Sequence, residues 1–590
     1  MDIDSRNFQL HLLDILQDIA GARFVSIDLE MSGINTGFSN QGSGKQNLQG
    51  VYDRTRKGAR VFQILQLGLT CVEEDLERGF YRAKPYNIYM SPLVSEIPKR
   101  YCQDRLFSFS SEACGFLLKN GLDFGKVFSR GVPYLSYLEE NAVRLNLQER
   151  EKKCADIEDL VLENKVDVEF YENTRRDIQQ WEREKAFANS FYNIRNPAGS
   201  LNGYQRRLVY QLVRKEFPSL EVFQGGHGAF LQLRRLDQES KANRQKEEEK
   251  RLNRQITDQK GLRFVFDALT GGDLEDIKPN WYCNKKSKTY EEDFKKIDFK
   301  IKRITQALKS KNHVIVGHNV FTDLLYLYNS FIGDLPLAVS DFKETIHELF
   351  PIVIDTRFLA TYGMDSMTPG ANLKDLLDSF KNVTIPTILL DDKHLSYNIS
   401  TNKDHEAGFD AWMTAELFLK VSVKLYTDAI QRGQDADSSN DLALDNYRRT
   451  SKDGIFYNTA VDSPVTNIRP AFGIGTVGIM PDFPKTARAT TRQPKPRDYA
   501  KTRRSNYLTG PDTDTPAVDK MDNKWPREDL PAAFYSMQLN RPRSRADDQS
   551  SNQKYTMIPH ADSLFWKIYS NKLRVTASEE GILILDDGLV

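Results

Sequence analysis

The stretch FVSIDLEMSG, residues 24–33, decides how this chain is read. Phe24, Val25 and Ile27 give it the apolar, partly β-branched character of a buried strand. Two carboxylates, Asp28 and Glu30, interrupt the run two positions apart. Side chains at i and i+2 of a strand share one face, so these anions stand side by side near the strand's end. Adjacent carboxylates taken out of water repel each other, and without compensation at least one stays protonated. A basic partner or a divalent cation would resolve the conflict.

Further acids in equivalent settings favour the cation. Asp323 follows the strand-like VIVGHN (314–319) at the start of a helix. Asp410 lies in HEAGFDAWMTAEL (405–417), near the start of another helix and five residues after His405. Together Asp28, Glu30, Asp323 and Asp410 make an all-oxygen donor set suited to a pair of hard cations, Mg²⁺ or Mn²⁺. Two such ions about 4 Å apart stabilise both the attacking and the leaving oxygen of an in-line phosphoryl displacement. His405 then accepts the proton of the attacking water. Singly, each feature has an ordinary reading as a surface ion pair, a helix cap or a packed histidine. Their agreement in order, residue type and local structure points to a metal-dependent nuclease.

Bulk properties set the frame. A chain of 590 residues exceeds one ordinary core and implies several structural units. Lys+Arg and Asp+Glu balance at 82 each, so affinity for nucleic acid has to come from local patches. No apolar run approaches the ~18 residues that cross a bilayer. MDIDSRNFQL lacks the basic-then-apolar form of a secretory signal. No membrane association and an intracellular location, nucleus or cytoplasm, are therefore expected. Cys71, Cys102, Cys114, Cys154 and Cys283 form no CxxC pair and read as reduced thiols.

Along the chain, a polar loop SNQGSGKQNLQG (39–50) precedes RVFQILQLGLTCV (60–72) and PYNIYMSPL (85–93), which with the first strand suggest an antiparallel meander. Residues 166–236 form a compact block with helical GYQRRLVYQLVRKEF (203–217) and strand-like LEVFQ and AFLQLRRL. The charge-dense 237–260 reads as a solvated helix or linker. FPIVIDTRFLATYG (350–363) is expected to be a strand, and the stretch beginning at His405 a long amphipathic helix. From 431 to 563 low-complexity composition predicts disorder, and 564–590 a small helix-and-hairpin island.

DLEMSGI (28–34), GHNVFTDLLY (317–326) and HEAGFDAW (405–412), in this order, resemble the three motifs of DEDD-type 3′-to-5′ exonucleases whose last motif carries histidine. The match is closest to the poly(A)-specific ribonuclease (PARN) family, including its Triman-type trimming relatives. QLGLT, SSEACGFLLKNGLDFGKVFSRGVPYL, GYQRRLVYQLVRKEFP and FPIVIDTRFLA support it, and the resemblance covers residues 1 to about 430. It implies an α/β, ribonuclease-H-like fold with a mixed sheet flanked by helices. The nuclease would be split into 1–165 and 261–430 by an inserted α+β single-strand-binding domain. It implies Asp28, Glu30, Asp323 and Asp410 as metal ligands and His405 as general base. Met31, Ile34, Asn319 and Arg357 become the expected substrate contacts, and Tyr204, Arg206, Arg207 and Tyr210 the RNA contacts of the inserted module.

Met31 stands where the family usually has phenylalanine, which removes a stacking ring and tilts the expectation towards general 3′-end trimming. Relatives also carry an RNA-recognition motif after the nuclease. Low-complexity sequence replaces it here and removes the basis for cap recognition. KTARATTRQPKPRDYAKTRRSN (485–506) reads as a cationic tether for RNA, a nuclear-import signal or a solvating linker. The expected activity is divalent-metal-dependent 3′-to-5′ hydrolysis of single-stranded RNA, at poly(A) tails or small-RNA precursors, releasing 5′-mononucleotides. A catalytically silent RNA-binding scaffold and a DNA exonuclease are the alternatives. The family also implies a homodimer.

Overall fold

The computed structural model describes residues 1–34, 47–102, 104–155, 159–184, 191–196, 199–226, 229–272, 274–363, 370–397, 405–435, 557–561, 563–576 and 581–586. All of them belong to one compact unit that joins Met1–Arg448 to Lys554–Val590. The cationic segment 485–506 and nearly all of the span expected to be disordered lie outside the described residues.

A short strand β1 (Asp2–Ile3) leads into helix α1 (Phe8–Gly21), where Leu12, Leu13, Ile15, Leu16 and Ile19 recur at helical spacing and are all buried. β2 (Phe24–Met31) follows. After α2 (Leu48–Val61), the long β3 (Ile64–Asp75) and β4 (Phe80–Ser91) pair antiparallel to give the expected meander. Helices α3 (Ser111–Lys119) and α4 (Phe124–Arg130) are capped by the side chains of Ser110 and Asp123. Short β5 (Val132–Pro133) and α5 (Tyr137–Ala155) then close the first part of the nuclease sequence.

The chain next builds a small layer of its own. Helices α6 (Lys165–Arg183) and α7 (Gly203–Glu216) accompany β6 (Phe191–Ile194), β7 (Leu220–Gly225) and β8 (Phe230–Arg235), which form an antiparallel sheet in the order β6-β8-β7. Ile178, Val209, Leu212, Leu231 and Leu233 lie at its centre. The charged stretch that follows is helix α8 (Gln238–Lys260). It is exposed over most of its length, but near its end Leu252, Ile256, Gln259 and Lys260 are buried.

Helices α9 (Arg263–Leu269) and α10 (Tyr290–Lys309) return the chain to the main sheet at β9 (Val314–Gly317), followed by α11 (Phe321–Phe331) and α12 (Val339–Leu349). β10 (Ile352–Asp355) is shorter than the strand expected over 350–363. It stops at Asp355, whose carboxylate accepts the N–H of Arg357, and α13 (Thr356–Gly363) begins at once. Arg357 therefore sits in the first turn of a helix. The apolar run FPIVIDTRFLA is continuous, and a run of that kind does not distinguish strand from buried helix.

Helix α14 (Leu373–Asp378), strand β11 (Thr387–Leu390) and the long α15 (Ala407–Asp435) follow. Far along the chain α16 (Leu564–Tyr569) and the hairpin β12 (Lys572–Arg574) with β13 (Ile582–Ile584) come back onto the same unit. The result is an α/β fold with an eight-stranded mixed sheet in the order β1-β4-β3-β2-β9-β10, with β5 and β11 also pairing with β4. β9 runs parallel to both β2 and β10.

Alternation along β2 divides the core. Val25, Ile27 and Leu29 join a large cluster with α1, α9 and α11, whereas Phe24 on the opposite face packs on Phe418 of α15. Each buried aliphatic side chain of this kind contributes about 1.5–3 kcal/mol. Asp28 and Glu30 share the α15 face, so the strand that anchors the core also presents the two acids.

Candidate active site

Three elements converge at the end of β2. Ser26 donates its hydroxyl hydrogen to the carbonyl of Ala411 at 2.7 Å, tying the strand to the first turn of α15, where Asp410 lies. Carboxylate oxygens of Asp28, Glu30 and Asp410 all lie within 4.8 Å of one another. Asp323, in the first turn of α11, approaches from the β9 side, and its carboxylate accepts the backbone N–H of Leu29.

The electrostatics follow from this crowding. Burial pushes Asp28 well above the usual carboxylate range, and the charges of Asp410, Asp323 and Glu30 push it further. Glu30 is raised in the same way by burial and then by Asp410 and Asp323. Burial raises Asp323 to about 8, with Asp355 adding to the effect. Removing water from a cluster of like charges makes each more reluctant to ionise. The donors are carboxylate oxygens, and the charges acting on Asp28 are those of other acids, which fits a site for hard divalent cations.

Close packing of α15 depends on a residue that sequence reasoning quoted only as part of a similar segment. Gly68 of β3 lies opposite Asp28 in the strand register. A Cβ at Gly68 would meet the carbonyl oxygen of Ala407 at 1.8 Å. At the start of α15, Gly408 donates its N–H to Asn87 of β4 at 3.3 Å, and a Cβ there would meet Asn87 and Tyr397. The clue in the sequence was a glycine inside a long strand, which marks a close backbone approach.

His405 is exposed just before α15, with a left-handed backbone (φ 70°) and its ring edge-on to Phe116, centroids 4.7 Å apart. Asn319 also has a left-handed backbone (φ 59°), and its side-chain oxygen accepts a hydrogen bond from Arg357 at 3.1 Å. Ile34 is 46% exposed, while the half-buried Met31 packs against the main core beneath β2.

Tyr204, Arg206, Arg207 and Tyr210 all lie on α7 of the inserted layer. Arg206, Arg207 and Tyr210 line an open groove of about 570 Å³ with Gly203, Gln211 and Gln224. Tyr204 donates its hydroxyl to the Val161 carbonyl. Arg214 and Lys215, which read as cationic contacts in the sequence, both pair with Asp159 at 2.5 Å, which partly offsets their charge. Among the described residues no helix is long and apolar enough to cross a membrane, and Cys71, Cys102, Cys114 and Cys283 are free thiols.

Comparison with known proteins gives this geometry a context. The family described as CAF1 family ribonuclease matches residues 3–418. The poly(A)-specific ribonuclease PARN of Xenopus laevis is 27% identical over 440 residues, which are 72% of this chain and 62% of that protein, so the chain spans only part of this relative's length. The pre-piRNA 3′-exonuclease trimmer of Bombyx mori is 24% identical over 437 residues, 71% of each protein. Among solved structures, that of S. pombe Pop2p in its Mg²⁺- and Mn²⁺-bound form aligns with 71% of this chain and 89% of its own, at 14% identity and a TM-score of 0.29.

Proposed function

Since the chain belongs to the CAF1 family of ribonucleases, we propose that it is a divalent-cation-dependent 3′-to-5′ exoribonuclease that acts on single-stranded RNA and releases 5′-mononucleotides. The observation that carries this reading is the approach of Asp28, Glu30 and Asp410 to within 4.8 Å of one another at the end of β2. With Asp323 they would hold two ions, Mg²⁺ or Mn²⁺. Such cations, when bound, act as Lewis acids on the phosphate and stabilise the charge that develops during displacement.

The chain's own groups supply the remainder. His405, exposed beside the acids in sequence, takes the proton of the attacking water through a ring nitrogen. Arg357, held to Asn319, offers a guanidinium to a phosphate oxygen or base edge of the terminal nucleotide. Ile34 offers an exposed apolar contact to that nucleotide. Arg206, Arg207 and Tyr210 give the upstream strand cationic and stacking contacts that tolerate any sequence.

Met31 supports general trimming of 3′ ends over strict adenine selection, because its side chain packs into the core and brings no ring to the terminal base. End-labelled oligo(A) and mixed-sequence RNA of equal length, digested with Mg²⁺ or EDTA, test this. Rates equal within about threefold, with 5′-mononucleotide products only when Mg²⁺ is present, are expected. A large preference for oligo(A) would instead assign poly(A) tails as the substrate. Hydrolysis of a matched DNA strand at the RNA rate would defeat the ribonuclease assignment. A homodimer belongs to the same proposal, and sedimentation velocity at micromolar concentration tests it.

A further inference from the structure

The C-terminal residues from 557 to 586 lie against the nuclease sheet. Asn571, with a left-handed backbone (φ 59°), brackets the edge strand β10: its N–H donates to the Val353 carbonyl at 2.7 Å, its side-chain oxygen accepts the Val353 N–H at 2.9 Å, and its amide donates to the Pro351 carbonyl at 3.0 Å. These bonds satisfy backbone groups that an edge strand otherwise leaves unpaired. Leu573, Leu583 and Leu585 insert into the main core, and the Ile558 N–H donates to the hydroxyl of Tyr81 on β4.

Where β10 ends, the grip reaches the substrate side. Asp355 is fully buried. One of its carboxylate oxygens accepts the N–H of Arg574 in β12 at 2.9 Å. The other accepts the N–H groups of Asn319 and Arg357, each at 2.9 Å. One carboxylate thus joins the C-terminal hairpin, the turn after β9 and the first turn of α13. It also holds Asn319 in a left-handed conformation that a residue other than glycine seldom adopts unaided.

We propose that the C-terminal segment is a working part of the active site, in which Asp355 is a positioning residue that transmits the clasp on β10 to Asn319 and Arg357. The inference rests on the reading that Asn319 and Arg357 meet the substrate. An exoribonuclease must seat a mobile 3′ nucleotide before each cut, and two contacts fixed to one buried carboxylate lose little freedom when they do so. The hairpin, remote in sequence from the acids, completes that support.

Two variants of the full chain test the proposal in steady-state kinetics on an RNA oligonucleotide, with Leu16→Ala on α1 as a control for lost stability. Asp355→Asn leaves a single acceptor oxygen for three N–H donors, and Asn571→Ala loosens the clasp without touching Asp355. Both are expected to raise KM about tenfold or more with kcat little changed, since each weakens a contact held through a charged acceptor. Leu16→Ala at a similar loss of Tm keeps KM within about twofold. If Asp355→Asn does not fold, Asn571→Ala decides. Wild-type KM in the folded clasp variants, a rise no larger than that of the control, or loss of the fold in both overturns the proposal in favour of a purely architectural role. Asp28→Ala, run alongside, separates the two readings. If it is inactive while the clasp variants behave as wild type, only the clasp fails. If it cleaves RNA at the wild-type rate, the nuclease site itself fails, and the clasp with it.

Discussion

Asp28 and Glu30 are held well above the ordinary carboxylate range by burial and by their acidic neighbours, so in metal-free protein their proximity is a standing cost. Asp28→Asn keeps the shape and removes one charge. In EDTA this variant is expected to melt higher, by roughly 1–2 kcal/mol of relieved repulsion and desolvation. Mg²⁺ then raises the Tm of the wild type by ligand linkage but leaves the variant unmoved, and hydrolysis is lost. Thermal melts with and without Mg²⁺ check both halves, and an undiminished Mg²⁺ shift in the variant would remove Asp28 from the ligand set. Residues of this kind were legible in the sequence because their chemistry is carried by type and spacing: an acid in a strand, another two positions on. Asp355 was not legible, because its importance comes from N–H groups on three separated segments that no local pattern announces.

At the level of elements, the position of α15 against β2 and β3 decides whether Asp410 reaches the other acids. Gly68→Ala drives a methyl into the Ala407 carbonyl. It is expected to cost about 1–3 kcal/mol in stability by overpacking, and to lower kcat more steeply than any stability-matched core variant, since the helix start moves with Asp410 on it. Calorimetry and single-turnover kinetics read the two effects separately. A second junction anchors the chain where it re-enters the nuclease after the insertion. Glu140 of α5 accepts from Arg263 of α9, while Lys260 at the end of α8 lies 3.0 Å away. Burial alone would raise Glu140, but Arg263 and then Lys260 outweigh it and lower its pKa to about 2. With an ordinary value near 4.5, the pair's contribution is fully present above that pH and is lost as pH falls towards 2, on the order of 3 kcal/mol. Asp267, pushed up to about 6 by burial, has the opposite sign and gains stability as pH falls from 6 towards 3.8. The diagnostic is therefore the difference between wild type and Glu140→Gln in urea melts: the variant is expected to be less stable at pH 7, with the gap closing below pH 4.5. A gap that does not change with pH would show that the pair does not form.

Over the whole chain, the meander, the helical 203–217 and the final helix with its hairpin were legible because each satisfies one hydrophobic period. The merging of that final piece with the nuclease core was not, since 120-odd intervening residues give no signal of where a chain returns. Physical separation of the three-stranded layer from the main sheet makes a division of labour testable. If the groove on α7 gathers the upstream strand, replacing Arg206 and Arg207 by alanine weakens capture of a long RNA and leaves a trinucleotide, which fills only the nuclease site, untouched. Two cationic contacts to a single strand account for a fall of roughly 1 to 1.5 in the slope of log affinity against log salt. Fluorescence anisotropy of a labelled 20-mer in EDTA, across a series of salt concentrations, measures that slope without turnover. The variant is expected to lose affinity most at low salt and to converge on the wild type at high salt, because the lost term is counterion release. Parallel salt dependences for the two proteins would instead place these arginines on a solvated face and return the work of holding RNA to the nuclease sheet.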